Sequence, residues 1–264
     1  MTNGRRIEGA KPFGTGRIVF WRGGSVWIGH AEGETGFHAH HAIQTTLALC
    51  GGIVRFKSPG EDWTNYTAAN IAADHTHAFE ASGKFVAQIF TEPESRDGQV
   101  LRHRYPQGVA SLTNEDLAHE AAALAAAYAK GVPDEDLIAL ARAVTAKMTC
   151  TSTQSLLPKP LDKRIERAIE VLRQRLGQTV SMAEIADAVH LSPERFRHLF
   201  LEETGVRFRP YVLWLRLELA VSSYAAGNNL TEASYAGGFA DSAHFSRTFK
   251  RMFGLPAVGI KPVR

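Results

Sequence analysis

Cysteine is scarce in this chain, and long apolar runs are missing. Only two cysteines, Cys50 and Cys150, occur in 264 residues. That is too few for a disulfide framework, and their spacing does not suit a metal site, so we expect buried free thiols. No apolar run reaches the roughly 18 residues of a membrane span, and no apolar core follows the first arginines, as a secretory signal requires. The sequence therefore predicts a cytoplasmic protein with no membrane partner.

Neither sign of charge dominates the sequence, because the formal net charge is only +3. The excess is uneven: Lys and Arg outnumber Asp and Glu from about residue 162 onward, whereas the earlier part is near neutral or slightly acidic. A basic excess confined to one segment predicts a polyanionic partner for that segment. At about 100–200 residues per domain, the length predicts two domains.

Strand patterns occupy residues 14–92, where Val, Ile, Phe, Trp and Thr alternate with polar residues in stretches such as "GRIVFWRGGSVWIGH" and "KFVAQIFTE". Turn signals at intervals of about ten residues favour a small antiparallel sandwich or barrel. Helix formers follow at about 112–130 and 134–148, and the polar segment 151–161 has the composition of a linker. From Asp162 to the end, the pattern predicts helix throughout.

A weak internal repeat lies in the C-terminal third, between "SPERFRHLFLEETG" (192–205) and "DSAHFSRTFKRMFG" (241–254). Each copy begins with a capping residue, has Phe four and eight positions later, and stops at Gly. The phenylalanines predict a buried helix face opposite a basic one. Because each copy follows a second short helix, "MAEIADAVH" or "TEASYAGGF", the layout predicts two helix-turn-helix units that enter the major groove of DNA.

These motifs make residues 162–264 resemble the DNA-binding domain of the AraC/XylS family of bacterial transcription regulators. The most specific stretch is "GGFADSAHFSRTFKRMFG", preceded by a linker helix at about 209–225. Ala233 and Ser234 stand where the family usually has Ile-Ala, which predicts a looser helix before the second turn. The resemblance implies double-stranded DNA as partner, with base-facing side chains at Glu194, Arg197, His198, Ser242, His244 and Arg247, and with phosphate contacts from Arg195 and Lys250.

The stretch "FHAHHAIQ" is similar to the first motif of the cupin β-barrels, which many family members use as an effector-binding sensor. His38, His40 and Gln44 follow the motif's spacing, with Gln44 in place of its Glu, and His77 lies in a partial second motif. Residues at even separations share a face of a strand. We therefore expect His38, His40 and Gln44 to point one way, where His77 can join them, and His41 to point the other way.

Two readings of this cluster remain open at the level of sequence. Three neutral imidazoles suit Zn, Ni, Fe or Mn, with Gln44 as a weak fourth ligand or as the residue that fixes a water or effector. Alternatively, His38, His40, Gln44 and His77 bind an organic effector without a metal.

The predicted architecture is α+β: a cupin-like β-barrel domain (1–95), a helical segment for dimerisation and coupling (96–150), a linker (151–161) and an all-α domain with two helix-turn-helix motifs (162–264). The favoured function is a regulator switched by a small-molecule or metal effector, acting as a homodimer and, if an activator, contacting RNA polymerase. The alternatives are a direct metal sensor and a metal-dependent cupin enzyme with a DNA-binding tail. Gln44 replaces the carboxylate such an enzyme uses, so we expect no enzymatic activity.

Overall fold

The computed structural model describes residues 13–150 and 160–263 and confirms the α+β class. Most of the predicted linker, residues 151–159, lies outside the described part. The first domain consists of strands with three following helices: β1 (Gly14–Trp21), β2 (Gly24–Ala31), β3 (Ile43–Ala48), β4 (Val54–Lys57), β5 (Thr64–Tyr66), β6 (Ala68–Ile71), β7 (Ala78–Glu80), β8 (Lys84–Thr91), α1 (Arg96–Arg104), β9 (Val109–Ser111), α2 (Asn114–Lys130) and α3 (Asp134–Thr149).

Two sheets enclose the core of this β domain. The larger sheet has the order β10-β1-β2-β8-β3-β6-β9, where β10 (Ile260–Pro262) comes from the far end of the chain, and the smaller has the order β5-β4-β7. Phe56 and Phe79 of the small sheet pack with Ile71 and Val86 of the large one. On the outer side, α2 and α3 bury Leu124 and other aliphatic residues against the large sheet. Both cysteines are exposed, so the prediction of buried thiols was wrong.

The C-terminal domain consists of six helices among the described residues: α4 (Lys163–Gln174), α5 (Met182–Ala188), α6 (Pro193–Thr204), α7 (Phe208–Ala225), α8 (Leu230–Ala236) and α9 (Ser242–Phe253). Ser192 and Asp241 cap α6 and α9 by accepting backbone N–H bonds, and Gly205 and Gly254 end these helices in the left-handed conformation. The predicted caps and stops of the repeat are therefore present. The predicted core phenylalanines are buried as well: Phe196, Phe200, Phe245 and Phe249.

The turns of the two helix-turn-helix units differ. In the first unit, which comprises α5 and α6, His190 takes the left-handed position at φ 56°. In the second unit, which comprises α8 and α9, Gly238 takes that position at φ 69°. Its neighbour Gly237 has an ordinary φ but lies so close to α7 that a Cβ would be 2.6 Å from the Arg216 carbonyl oxygen. Gly237 is thus required by packing rather than by the turn.

The prediction of helix throughout the last segment was wrong at its end. Residues 260–262 form β10, which pairs in parallel with residues 14–16 of β1. The Val263 N–H continues the contact by donating to the Gly16 carbonyl at 2.8 Å. An edge strand offers unpaired backbone groups, and the tail of the chain occupies those of β1, which local sequence patterns do not reveal.

Aromatic packing also joins the two domains. Trp27 of β2 lies with its ring centroid 4.8 Å from that of Phe253 and 6.4 Å from that of Phe249, both on α9. Phe90 of β8 belongs to the same buried cluster as the core of the C-terminal domain. The C-terminal end of α9 is therefore embedded in the β domain.

Candidate functional site

His38, His40 and His77 form a buried cluster in which one ligating atom from each lies within 4.8 Å of the others. His38 and His77 are brought together by the backbone, since each donates its N–H to the carbonyl of the other at 3.0 and 2.9 Å. These contacts form an isolated bridge before β7, and His40 lies in the extended segment before β3. The predicted strand under "FHAHHAIQ" therefore begins only at Ile43, yet the three imidazoles converge as expected.

The protonation of these rings follows from their partners. Each Nδ1 faces a backbone carbonyl at 2.8–2.9 Å: that of Gly36 for His38, Ala42 for His40 and His75 for His77. A carbonyl only accepts, so Nδ1 carries the proton and Nε2 keeps a lone pair when the ring is neutral. Burial, the largest cause, lowers the pKa of His38 to about 4 and also lowers the pKa values of His40 and His77. The three rings are neutral near pH 7.

Gln44 lies next to His40 rather than alongside all three histidines. The structure has Gln44 Oε1 2.9 Å from His40 Nε2, and Gln44 Nε2 donates to the Thr46 hydroxyl at 2.9 Å. The oxygen and nitrogen of a side-chain amide can be exchanged by turning it over, so the assignment follows from the partners. Because His40 Nε2 is an acceptor, the contact is satisfied when the Gln44 amide N–H donates to it and the amide oxygen accepts from Thr46. His41 points away, as predicted, and its Nε2 lies 2.9 Å from Glu94.

The donor set fits a divalent transition metal. Neutral imidazoles whose other nitrogen donates to a carbonyl are the usual arrangement of metal-binding histidines. His77 Nε2 is buried without a hydrogen-bond partner, so a metal would satisfy an otherwise unpaired acceptor. Two nitrogens on one tetrahedral zinc lie roughly 3.3 Å apart, which small ring rotations could reach from the 4.8 Å limit found here. His40 would have to exchange Gln44 for the metal.

A cavity of about 80 Å³ lies beside the histidine cluster and is lined by His38 of the cluster and by Gln44. One wall is the large sheet, including Trp27 and Phe90, and the other is the end of the C-terminal domain, including Phe253 and Ile260. A molecule in this cavity would contact both domains. Of the residues predicted to line a pocket, His38 and Gln44 line this cavity, whereas His40 and His77 do not. The second wall was not predicted, because it depends on how the domains dock.

The contact between α9 and the cluster is direct. The Gly36 N–H donates to the Gly254 carbonyl at 2.9 Å. A side chain at residue 254 would meet the Gly36 carbonyl at 2.3 Å and His38 Nδ1 at 2.6 Å. Gly254, predicted only as a helix stop, therefore also allows α9 to end against the pocket.

The base-facing candidates of α6 are exposed and partly paired with one another. Glu194 accepts hydrogen bonds from Arg197 at 2.7 Å and His198 at 2.8 Å. These bonds and the charge of Arg197 lower the pKa of Glu194. Arg195, predicted to contact phosphate, is also exposed. The first recognition helix thus presents a cation-rich surface in which one carboxylate orients two of the basic groups.

The candidates of α9 lie on the face away from the phenylalanines. Arg247 and Lys250 are exposed, whereas Ser242 and His244 are half-buried. The His244 ring meets Phe239 edge-on, with centroids 5.2 Å apart. All eight predicted DNA-binding side chains are therefore at least partly accessible while the two domains are packed together.

Sequence reasoning missed a buried polar cluster between the domains. Tyr211 of α7 donates its hydroxyl to Glu94 at 2.6 Å, and Arg173 of α4 contacts Glu92. Glu218 of α7 lies beside them, with Oε2 3.9 Å from Arg173 Nη1. In the sequence these look like ordinary surface charges, and only the docking of the domains buries them.

Comparisons with known proteins agree with this fold. Residues 185–258 match the model of a helix-turn-helix domain family. The chain is 38% identical over 96 residues to YidL, an uncharacterized HTH-type transcriptional regulator of Escherichia coli, covering 36% of this chain and 32% of that protein. It is 29% identical over 143 residues to the probable transcriptional regulator LumQ of Photobacterium leiognathi, covering 52% and 56%. These matches thus span from a third to just over half of the relatives.

A solved structure extends the likeness to both domains. ToxT from Vibrio cholerae superimposes with a TM-score of 0.55 at 13% identity, covering 90% of this chain and 96% of that one. This similarity concerns the fold alone. Among the described residues, no helix is long and apolar enough to cross a membrane. The chain therefore carries a C-terminal helix-turn-helix domain, joined to an N-terminal β domain in a fold similar to that of ToxT.

Proposed function

We propose that the protein is a sequence-specific DNA-binding transcription regulator whose DNA affinity responds to a small molecule in the cavity between its domains. The observation that carries this proposal is the double wall of the cavity, which is built from the β domain and from the end of α9. A ligand shifts a conformational equilibrium only if it binds two arrangements differently. A ligand that touches both domains binds the docked arrangement better than a separated one.

The cavity lining favours a mainly apolar ligand. Trp27, Phe90, Phe253 and Leu255 contribute apolar surface, and few polar groups, such as Gln88, interrupt it. ToxT has been crystallised with an unsaturated fatty acid and with (E)-4-(8-methylnaphthalen-1-yl)but-3-enoic acid, which are apolar molecules with one acidic group. An amphipathic organic molecule of this general kind is consistent with the cavity here.

The test begins with the purified full-length protein. Native mass spectrometry reports whether an organic molecule is retained, and it also tests the proposed homodimer, for which α2 and α3 are candidate contacts. Removing the molecule should change affinity for a DNA duplex selected from a random library by roughly 5-fold to 150-fold, the usual range of such couplings. An affinity that is unchanged by removal and by adding the molecule back would contradict ligand control but not DNA binding.

A direct metal sensor is the second candidate, and the unpartnered His77 Nε2 favours it. His38, His40 and His77 would hold the ion, with Gln44 released to bind water or effector. The ion would supply a fixed positive charge, and the neutral rings are already prepared to ligate it. Because Gly254 lies against Gly36 and His38, a shift of His38 toward an ion would be felt at the end of α9.

Elemental analysis distinguishes this candidate from the first. We expect wild type to hold about one divalent ion per chain, and His38→Ala combined with His40→Ala to hold none while retaining DNA binding. His75→Ala is the matched control, since His75 lies outside the cluster and contacts Ser58. Equal metal content in the double variant and the control would refute the metal site. Metal removal that alters DNA affinity without any organic molecule would favour the direct sensor.

The cupin-enzyme alternative receives less support. Within the described residues, the potential ligand cluster contains histidines and no carboxylate, and the relatives are regulators. Turnover by the full-length protein would be needed to revive it. Contact with RNA polymerase would follow if the protein activates transcription, and would be tested by promoter-dependent transcription in vitro.

A further inference from the structure

Three carboxyl groups are buried where the β domain meets α4 and α7 of the C-terminal domain. Glu92 and Glu94 follow β8 and are 6% and 4% exposed, and the Glu218 side chain on α7 is 13% exposed. Acidic residues are almost never buried to this degree unless they are paired. Few basic side chains are available to pair with these carboxyl groups, so the stability of the interface depends on which of them are charged.

The groups that face Glu218 come from several elements. Glu92 and Glu94 approach from the chain after β8, and Arg173 approaches from α4. His41 and Tyr211 complete the cluster by binding Glu94 at 2.9 and 2.6 Å. At the rim, Arg22 forms a separate pair with Glu170 at 2.9 Å. Glu94 thus has its own two partners, whereas Glu92 and Glu218 share Arg173.

Two buried carboxylates that share one guanidinium repel each other, which raises the pKa of at least one of them. Glu92 contacts the Arg173 guanidinium, and Glu218 Oε2 lies 3.9 Å from Arg173 Nη1, so two buried carboxyl groups crowd one cation. A hydrogen bond between these two carboxyl groups would need a proton on one of them. Burial, together with the negative charge of Glu92, raises the pKa of Glu218 well above 4.5. Burial and the charge of Glu94 raise the pKa of Glu92 as well, but Glu92 makes the closer contact with Arg173. Glu218 is therefore the group that carries the proton.

We propose that Glu218, Glu92 and Arg173 form a proton-dependent latch that holds α4 and α7 of the C-terminal domain against the β domain. With the proton present, the carboxyl pair joins α7 to the end of β8, and Arg173 joins α4 to the same point. Without it, two adjacent carboxylates repel each other across the interface. None of the three latch residues lines the cavity, so the latch needs no ligand there in order to act.

The sign of the pH dependence follows from proton linkage. When the domains separate, Glu218 meets water and its pKa falls to the ordinary value. Between that value and the raised value, the docked arrangement binds one more proton than the separated one. Docking is therefore fully stabilised below the ordinary pKa and is lost as pH rises through the raised pKa. The docking equilibrium changes by at most about tenfold per pH unit, the limit for one proton.

Glu218→Gln separates the latch from a passive buried pair. The amide has nearly the same shape and can donate an N–H to Glu92, but it has no proton to lose. The variant should dock with little dependence on pH. Glu166→Gln is the control, because Glu166 is an exposed glutamate on α4 outside the cluster.

Double electron–electron resonance on the full chain measures the docking directly. Spin labels are placed on the exposed Cys50 and on Glu202→Cys of α6, with Cys150→Ser to remove the other thiol. Distances are recorded between about pH 5.5 and 8.5 at increasing urea, while far-UV circular dichroism reports whether the helices persist. Neither DNA nor ligand is added, so the outcome is independent of the function proposed above.

We expect the labels of the wild type and of Glu166→Gln to separate at a lower urea concentration at high pH than at low pH, with helical signal retained. In Glu218→Gln this shift should be much smaller. An equal pH shift in Glu218→Gln and wild type would overturn the latch. Separation that occurs only together with loss of helix would also overturn it, because the interface would then be part of one cooperative unit. No pH shift in the wild type would do the same.

Discussion

The two helix-turn-helix units are built alike but meet the β domain by different means. Both end their recognition helices at a glycine that touches that domain. Gly205 of the first unit lies beside the flexible guanidinium of Arg102, whereas Gly254 of the second unit lies against the backbone of Gly36 and the ring of His38. Polar side chains on α4 and α7, which flank the first unit, bind the β domain. Aromatic rings on α9 pack the second unit against the same domain. An internal repeat thus encodes a shared fold but not a shared partner.

The difference extends to the surface that is predicted to contact DNA. Glu194 orients Arg197 and His198 on α6, and α9 carries no acidic residue. In the first unit a carboxylate orients the basic side chains of Arg197 and His198. Arg247 and Lys250 lie on a helix that has no acidic residue to pair with them. The second unit should therefore depend more on individual arginine contacts.

Arg247→Ala tests this dependence and should have the largest effect. If Arg247 contacts a guanine edge, its loss weakens binding to the selected duplex by about 1–3 kcal/mol and relaxes the preference at one base pair. Arg195→Ala is the comparison, since loss of a phosphate contact weakens selected and random duplexes alike. Affinities on both duplexes, measured at one salt concentration, separate these outcomes. Unchanged selectivity in Arg247→Ala would mean that α9 does not read bases at this position.

Gly237→Ala tests the close packing that is special to the second unit. The added methyl would approach the Arg216 carbonyl and the Ala220 side chain at 2.6 and 2.7 Å. Overpacking of this kind costs about 1–3 kcal/mol of unfolding free energy, measured by urea denaturation. Gly177→Ala is the control, because a Cβ there meets nothing within 4 Å. Equal stabilities of the two variants would contradict the close approach of α8 to α7.

His190→Gly tests the turn of the first unit and should have the smallest effect. A non-glycine residue in the left-handed region costs about 1–2 kcal/mol, and glycine avoids this strain. Part of the gain is lost again, because glycine gives up more conformational freedom on folding. The variant should therefore gain stability by less than about 1 kcal/mol. A clear loss in thermal denaturation would indicate that the His190 side chain stabilises the turn by a contact of its own.

Much of this fold could be predicted from local patterns. The strand runs, the caps and the Phe-lined faces of the repeat depend on neighbours within a few residues. The small side chains of Ala233 and Ser234 led to the prediction of a looser α8. In the structure both residues are fully buried, because Gly237 lets α8 lie close to α7. Small side chains there accompany a shorter distance between helices.

The unpredicted features depend on contacts between distant segments. Arg173 and Glu92 are 81 residues apart in sequence, and either would pass for a solvated surface charge. The strand at residues 260–262 is too short to stand out and forms only because β1 has a free edge. The histidine site was predictable only in part. The spacing of His38 and His40 indicated a shared site, but the bridge between His38 and His77 is a long-range contact that local patterns do not reveal.

The contact of Gly254 with Gly36 and His38 has a consequence for the direction of control. The end of α9, which is predicted to contact DNA, lies directly against the rim of the proposed sensor pocket. By thermodynamic reciprocity, a ligand that changes DNA affinity by some factor must have its own affinity changed by DNA by that same factor. A bound promoter would then act as an effector of the pocket, so that the occupancy of the sensor differs between protein on its site and protein free in solution.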